Sequence, residues 1–200
     1  MAEKPLLIVV SGPSGTGKTT LCERLMNERN DIDYSVSCTT RPPRGDEEHG
    51  RDYVFVTDRE FDCMSAEGRF LEQAVVYGYK YGTPESRVMK SLSAGRNVLM
   101  DIDVQGAAQV RRRAGGRAGG DLISRSFVDI FVLPPSTAVL RERLTGRGED
   151  ARESIERRMA DAEKELARAD QFQYVIVNDS IDIAYERMKE ILRKEAQYGE

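Results

Sequence analysis

Residues 6–21, "LLIVVSGPSGTGKTTL", decide the fold of this chain. Residues 6–10 form a short run of bulky apolar side chains, as expected of a fully buried parallel strand. Residues 12–19 then read GPSGTGKT, which fits the pattern G-x-x-x-x-G-K-[ST] without a mismatch. Beyond Lys18 the apolar residues recur at helical spacing. Strand, glycine-rich loop and helix are the context in which this pattern forms a phosphate-binding loop (P-loop).

The loop has the residues needed to bind a nucleoside triphosphate. Glycines tolerate positive φ and let backbone N–H groups turn toward phosphate oxygens, helped by the positive end of the helix dipole. We expect Lys18 to reach the β- and γ-phosphates and the Thr19 hydroxyl to join the Mg²⁺ shell. An ordinary glycine-rich turn is the alternative, and the agreement of pattern and context argues against it. The residues assigned to the triphosphate are Gly12, Pro13, Ser14, Gly15, Thr16, Gly17, Lys18, Thr19 and Thr20.

The composition is typical of a soluble globular protein. The chain has 200 residues, of which 40% are hydrophobic and 32% charged, and its net charge of −4 argues against a dedicated nucleic-acid binder. No apolar run approaches the roughly 20 residues that span a bilayer, and no signal-peptide pattern is present. Cys22, Cys38 and Cys63 lack C-x-x-C spacing, so neither a disulfide framework nor a zinc site is indicated. We expect a cytoplasmic protein without a membrane or nucleic-acid partner.

Strand and helix patterns alternate, which predicts an α/β fold of the P-loop NTPase type, a parallel sheet flanked by helices. Further buried strands are predicted over residues 97–103, 127–133 and 174–177, and a helix is predicted to begin at the N-cap Asp58. Residues 111–125, "RRRAGGRAGGDLISR", interrupt this alternation. Their glycines indicate a flexible surface excursion with solvated arginines, an anionic partner being the alternative.

A second informative stretch, residues 36–55, reads "VSCTTRPPRGDEEHGRDYVF". Arg41 and Arg44 flank a Pro-Pro pair that stiffens the loop. Their spacing can present two guanidinium forks to one phosphate, which lysine cannot reproduce. Tyr53 follows and can donate its hydroxyl to the same phosphate. This stretch therefore indicates a second, phosphorylated substrate.

Two aspartates follow an apolar run later in the chain. Asp101 closes "NVLMD", as a second acidic partner of the metal–phosphate region would. Asp103 is expected to face the same way on the strand. The sequence leaves open which of them contacts a magnesium-bound water and which contacts the second substrate, and a structural role for both is the alternative.

These motifs together resemble the guanylate kinase family. The family pattern T-[ST]-R-x-x-[KR]-x-x-[DE]-x-x-[GA]-x-x-Y-x-[FY] is met by Thr39, Thr40, Arg41, Arg44, Glu47, Gly50, Tyr53 and Phe55. "FLEQA" at 70–74, "YGT" at 81–83, "DIDVQG" at 101–106 and "VIVNDS" at 175–180 follow in family order, so the resemblance covers nearly the whole chain. It implies transfer of the γ-phosphoryl group of ATP to GMP, giving ADP and GDP, with Mg²⁺.

The resemblance also implies roles for residues that would bind GMP. The phosphate would be held by Arg41, Arg44, Tyr53 and Tyr81. The guanine would be read by Ser37, Glu72 and Thr83, with Asp101 or Asp103 close by. A carboxylate such as Glu72 can accept both N1–H and the 2-amino group of guanine, a donor pair that adenine lacks. The alternatives are a solvated strand residue for Glu72 and core packing for Tyr81.

The arginine- and glutamate-rich segment 141–165 resembles the lid that closes over ATP in the family. Arg147 lies between two glycines, a composition typical of a mobile joint. Arg143, Arg147 and Arg158 match arginines that meet the adenine and phosphates, and Asn178 matches the adenine-side loop, a plain turn being the alternative. Charge on the transferring group would be stabilised by Lys18, Arg41, Arg147 and Arg158.

We therefore expect a single domain over residues 1–200. Its parts would be a core (1–36, 84–140 and 166–200), a GMP-binding region (37–83) and the lid (141–165). His49 is expected on the surface, because a phosphate oxygen is already a competent nucleophile and needs no histidine base. Two alternatives stay open: a domain of this fold that binds phosphorylated partners without turnover, and a P-loop kinase with another acceptor. Use of dGMP as well as GMP is expected, and the oligomeric state is open.

Overall fold

The computed structural model describes residues 3–76, 78–116, 120–145 and 152–197. Its strands are β1 (Leu7–Ser11), β2 (Ile32–Tyr34), β3 (Cys38–Thr39), β4 (Val54–Phe55), β5 (Phe70–Val76), β6 (Tyr79–Pro84), β7 (Asn97–Asp101), β8 (Phe127–Leu133) and β9 (Tyr174–Val177). Its α-helices are α1 (Lys18–Glu28), α2 (Asp58–Ala66), α3 (Glu85–Ser93), α4 (Val104–Gly115), α5 (Leu122–Ser126), α6 (Thr137–Thr145), α7 (Arg152–Leu166) and α8 (Ile181–Gln197).

The larger sheet is parallel and has the order β2-β7-β1-β8-β9. Its central strand β1 is buried along its whole length. Alternate β1 side chains enter two cores: Ile8 packs in the core that includes α1 and α8, and Val9 packs in the core that includes α3 and α4. This arrangement confirms the α/β fold with a parallel sheet flanked by helices, and it places the P-loop at the carboxyl end of the central strand.

A second sheet, of order β4-β3-β6-β5, stands beside the first. In it β3 runs parallel to β4, and β6 is antiparallel to both β3 and β5. Helix α2 packs on this sheet through stacked rings of Phe61 and Phe70, whose centroids are 4.5 Å apart. Two connections join the sheets: residues 35–37 lead from β2 to β3, and β6 runs directly into α3.

One helix start and one strand end differ from those predicted. The N-cap of α2 is Thr57 rather than Asp58, because Thr57 Oγ1 accepts from the Glu60 amide and Glu60 accepts from the Thr57 amide in return. Strand β7 ends at Asp101, so Asp103 does not share its face. Asp103 instead caps α4 by accepting from the Gly106 amide at 2.7 Å.

The prediction of a solvated, flexible excursion over residues 111–125 is wrong for its described part. Arg111 pairs with Asp129, which is fully buried in β8. Arg113 pairs with Glu85 at 2.5 Å and with Asp121 at 2.8 Å. These arginines therefore hold α4 and α5 to α3 and the sheet.

No helix in the described ranges is long and apolar enough to cross a membrane.

Candidate active site

The P-loop is shaped by glycines and by bonds within the loop. Gly12 and Gly17 have φ of 136° and 89°, a region that residues with a Cβ rarely adopt. Lys18 Nζ donates to the carbonyls of Gly12 at 2.6 Å and Pro13 at 3.0 Å. The buried Thr16 hydroxyl donates to the same Pro13 carbonyl at 2.9 Å. The loop thus curls around the lysine, which lies at its centre.

Gly12 is also fixed by close packing, because a Cβ there would lie 2.5 Å from the carbonyl oxygen of Val132 in β8. We expect Gly12→Ala to displace the loop and to lower stability by about 1–3 kcal/mol, with most activity lost. Gly95→Ala is the matched control, since Gly95 has a positive φ of 75° but nothing within 4 Å of the added carbon. Equal loss of activity in both variants, measured with thermal unfolding alongside, would contradict a steric role of Gly12.

A cavity of about 310 Å³ opens in front of the loop. It is lined by Gly12, Ser14, Gly15, Gly17, Lys18, Thr19, Thr20, Asp101, Asp103 and Glu165. Thr19 Oγ1 lies 3.4 Å from Asp101 Oδ2, so two hard oxygen donors face the cavity together. Burial raises the pKa of the Asp101 carboxyl, an effect that nearby Lys18 opposes. In the part of the chain that the structure describes, no group of three acidic, histidine or cysteine side chains could hold a metal ion by itself.

Glu165 is a member of this cavity that the sequence reasoning missed. It lies near the end of α7 and is partly buried. Burial raises the pKa of its carboxyl, nearby Lys18 lowers it, and Asp103 and Asp161 raise it further. Its charge therefore acts on the lysine from the lid side. Helix α7 contains several glutamates, and nothing in the neighbouring sequence distinguishes Glu165 from the others.

Arginines of the lid helices α6 and α7 contact the P-loop and the turn after β9. Arg158 Nη2 donates to Ser14 Oγ at 3.2 Å, and Arg143 Nη2 donates to the Asn178 carbonyl at 3.3 Å. The Asn178 amide donates to the Thr16 carbonyl at 2.7 Å and is buried, so it braces the loop rather than lying in a free turn. Arg147, which was assigned to the transferring phosphoryl group, lies outside the described residues.

Arg41 lies at the centre of a second cluster, on the sheet formed by β3–β6. It is 5% exposed and meets Glu47 with both ends of its fork, at 2.8 and 3.0 Å. Its Nε donates to the Tyr81 hydroxyl at 3.1 Å, and Nη1 also donates to the Pro42 carbonyl at 2.8 Å. These contacts occupy four of the five guanidinium N–H groups. Among contacts with the described residues, one N–H of Arg41 is left for a phosphate, whereas the spacing predicted that Arg41 presents a full fork.

The other residues assigned to the GMP phosphate surround Arg41. Tyr53 packs edge-on against Tyr81, with ring centroids 5.9 Å apart, and its ring lies 5.4 Å from the Arg41 guanidinium. Tyr81 accepts from Arg41, so its own hydroxyl proton is free to reach a phosphate. Arg44 has an exposed side chain, and its backbone N–H donates to Glu47 at 2.9 Å. Glu47 thus orders both arginines, a role that the family pattern contained but the sequence reasoning did not assign.

The residues assigned to guanine form one hydrogen-bonded chain. Thr83 Oγ1 donates to Glu72 Oε1 at 2.6 Å. Because Thr83 uses its proton there, Ser37 is the donor in the 3.0 Å bond between the two hydroxyls. Glu72 is 5% exposed, which excludes a solvated strand residue. A Cβ on Gly106 would lie 2.9 Å from Glu72 Oε2, so Gly106 leaves room for the carboxylate, another role missed from sequence.

Comparisons with known proteins show the family to which the chain belongs. The guanylate kinase family model matches residues 4–195. The chain belongs to the guanylate kinase family. It is 46% identical over 192 residues to the guanylate kinase of Thiobacillus denitrificans, covering 96% of this chain and 87% of the relative. It is 43% identical over 192 residues to that of Syntrophomonas wolfei, covering 96% and 93%.

A solved guanylate kinase has the same fold. The crystal structure of guanylate kinase from Anaplasma phagocytophilum superposes with a TM-score of 0.74 at 30% identity, covering 98% of this chain and 88% of that one. The resemblance to the guanylate kinase family inferred from the motifs is therefore confirmed. His49 is exposed, as expected of a surface residue in such an enzyme.

Proposed function

We propose that this chain transfers the γ-phosphoryl group of ATP to GMP, giving ADP and GDP. The observation that carries the assignment is the hydrogen-bonded chain Ser37–Thr83–Glu72, in which Thr83 and Glu72 are buried, together with a complete P-loop in the same chain. A buried carboxylate satisfied on one side by a threonine presents its remaining lone pairs to a base with two adjacent donors, which is guanine. dGMP has the same base and is an expected acceptor.

In this proposal ATP and GMP are held by two separate sets of side chains. ATP lies along the P-loop, with Arg158 and Arg143 of the lid and Asn178 near its purine end. The GMP phosphate meets Arg41, Arg44, Tyr53 and Tyr81, and its base meets Ser37, Glu72 and Thr83. In this assignment the working parts are the core, the GMP-binding region over residues 37–83 and the lid over 141–165.

Catalysis then follows from positioning and charge. Lys18 neutralises charge on the β- and γ-phosphates, and Arg41 and Arg158 act on the transferring group from its two sides, with Arg147 as a further candidate. Thr19 and Asp101 are the residues that would hold Mg²⁺, Asp101 through a water ligand, and Asp103 lines the same cavity. Bound Mg²⁺ would supply positive charge to the phosphate oxygens.

The test is an ADP-release assay with Mg·ATP and a panel of acceptors. We expect release that depends on GMP or dGMP, with AMP, dTMP and the reaction without acceptor near background. Efficient turnover of AMP or dTMP would instead indicate a P-loop kinase with another acceptor. ATP binding without release for any acceptor would indicate a domain that binds phosphorylated partners.

The pH dependence of GMP recognition is a further expected result. Burial raises the pKa of the Glu72 carboxyl, the hydrogen bond from Thr83 opposes this effect, and the charge of Asp103 raises the pKa further. Only the ionised form can accept both guanine donors, so full affinity is present above that raised pKa and is lost as the pH falls through it. The KM for GMP should rise by up to about tenfold per pH unit below it. The GMP phosphate also titrates, so the same profile in Glu72→Gln is the control, and an identical slope there would contradict the role of Glu72.

A further inference from the structure

A cavity of about 670 Å³ lies beside the segment that joins β2 to β3, and none of the residues assigned to ATP or GMP lines it. We name it the hinge cavity; it is lined by Met26, Ile32, Asp33, Tyr34, Ser35, Val36, Arg87, Val88, Lys90, Ser91, Ala94, Arg96 and Val98. Its volume falls in the range of roughly 300–1,000 Å³ that is usual for small-molecule sites. Its floor is apolar, with side chains from α1, β2, α3 and β7.

The hinge cavity is bordered by both connections between the two sheets. Ser35 and Val36 belong to the connection that leads out of the core, and Val88 belongs to α3, which leads back. The guanine-reading hydroxyls lie on the same connections, Ser37 directly after Val36 and Thr83 two residues before α3. Their 3.0 Å hydrogen bond ties the connections together. A ligand in the hinge cavity would therefore lie against both of the segments that carry Ser37 and Thr83.

Tyr34 forms a wall shared with the GMP side. Together with Ser35 it lines both the hinge cavity and a small cavity that contains Ser37, Tyr53 and Thr83. That small cavity has a volume of about 60 Å³, which is below the size of a purine site. A base that contacts Ser37 and Thr83 from this side would therefore lie against Tyr34 and Ser35, the wall shared with the hinge cavity.

The rim of the hinge cavity is positively charged. Arg96 is neutralised by Asp33 at 2.7 Å and also donates to the Asn30 carbonyl. Arg87 and Lys90 lie three residues apart on one side of α3. Among residues in the described ranges, neither of them has an ion-pair partner. An apolar floor beneath two uncompensated cations suits a ligand that has an apolar body and an anionic group.

We propose that the hinge cavity binds a small amphipathic anion, an aromatic ring system with one anionic group, and that its occupancy changes the affinity for GMP. Arg87 and Lys90 attract the anionic group, and the apolar floor takes the rings. Binding at this site goes beyond the phosphoryl transfer proposed above and does not require it.

The probe is 8-anilinonaphthalene-1-sulfonate, whose fluorescence rises in apolar surroundings. It is titrated into the full chain in the presence of saturating ADP and GMP, so that the nucleotide sites are filled. We expect saturable binding at one site, weakened at least tenfold in the double variant Arg87→Gln/Lys90→Gln. The matched control Arg187→Gln/Arg193→Gln removes the same charge from exposed positions of α8 and should leave probe affinity within twofold.

The coupling is measured by calorimetry of GMP binding with and without the probe. We expect a change of at least threefold in the GMP dissociation constant, and the probe affinity must change by the same factor when GMP is added. Probe binding that is absent, that falls without limit as ADP or GMP is raised, or that is equally weakened in both double variants overturns the site. An unchanged GMP affinity overturns the coupling, whereas absence of any GMP binding refutes the proposed function and leaves the probe titration intact.

Discussion

Lys18→Ala is expected to lower kcat by about 10²–10³-fold while GMP still binds with near-native affinity. Lys18 lies at the centre of the P-loop, 2.6 Å from the Gly12 carbonyl, and in the proposed function its charge would face the β- and γ-phosphates of ATP. None of the contacts among Arg41, Glu47 and Tyr81, or along the chain to Glu72, includes this lysine. Its removal should therefore damage ATP chemistry and spare the GMP cluster.

Lys18 also compensates buried negative charge. It acts to lower the pKa of Asp101 and of Glu165, both of which burial raises. In the alanine variant these carboxyls should bind protons more readily, so the residual activity should shift its pH dependence toward higher pH.

The measurement is steady-state kinetics with calorimetry of GMP binding. Lys164→Ala is the matched control, since Lys164 is an exposed lysine of α7 paired with Asp161. It should change kcat by less than about twofold. Equal losses in the two variants, or a loss of GMP affinity in Lys18→Ala, would show that the lysine supports the structure at large rather than the triphosphate.

The parts of the fold that the sequence predicted are those with a local cause. The pattern that predicts strand β1 and the P-loop consists of consecutive residues. Gly12 has a positive φ, which the glycine of the motif already indicates. Strand β2 was missed because it has three residues, of which only Ile32 is fully buried, and it is held at the sheet edge by pairing with β7. Three residues are too few to show the alternation of apolar and polar side chains by which a strand is predicted from sequence.

The errors concern partners distant in sequence. Arg111 and Arg113 were predicted to be solvated, because a run of arginines in the sequence does not reveal acidic partners that are distant along the chain. In the structure Asp129 and Glu85, from other elements, neutralise them. Glu165 reaches the P-loop cavity only through the packing of α7. The GMP residues were assigned by resemblance, and the structure adds what spacing could not show, that Glu47, Tyr81 and the Pro42 carbonyl together occupy four of the five donors of Arg41.

The discrimination between guanine and adenine should fall by about 10²-fold or more in Glu72→Gln. A glutamine can keep the acceptor for Thr83, which lies 2.6 Å from Glu72 Oε1, but places an NH₂ group where Oε2 stands beside Gly106. That group opposes N1–H of guanine, donor against donor, whereas it can donate to the unprotonated N1 of adenine. The ratio of kcat/KM for GMP to that for AMP therefore falls, because the value for GMP decreases and the value for AMP increases.

The ratio of kcat/KM for GMP to that for AMP distinguishes a loss of base recognition from a general loss of activity, which a lower kcat/KM for GMP alone would not do. Glu67→Gln is the matched control, because Glu67 is an exposed carboxylate just after α2 that pairs with Arg69 at 3.2 Å and makes no contact with the base-reading chain. It should leave the ratio unchanged. If Glu72→Gln lowers kcat/KM equally for both bases, Glu72 stabilises the second sheet without reading the base, and guanine selectivity must then come from Ser37 and Thr83.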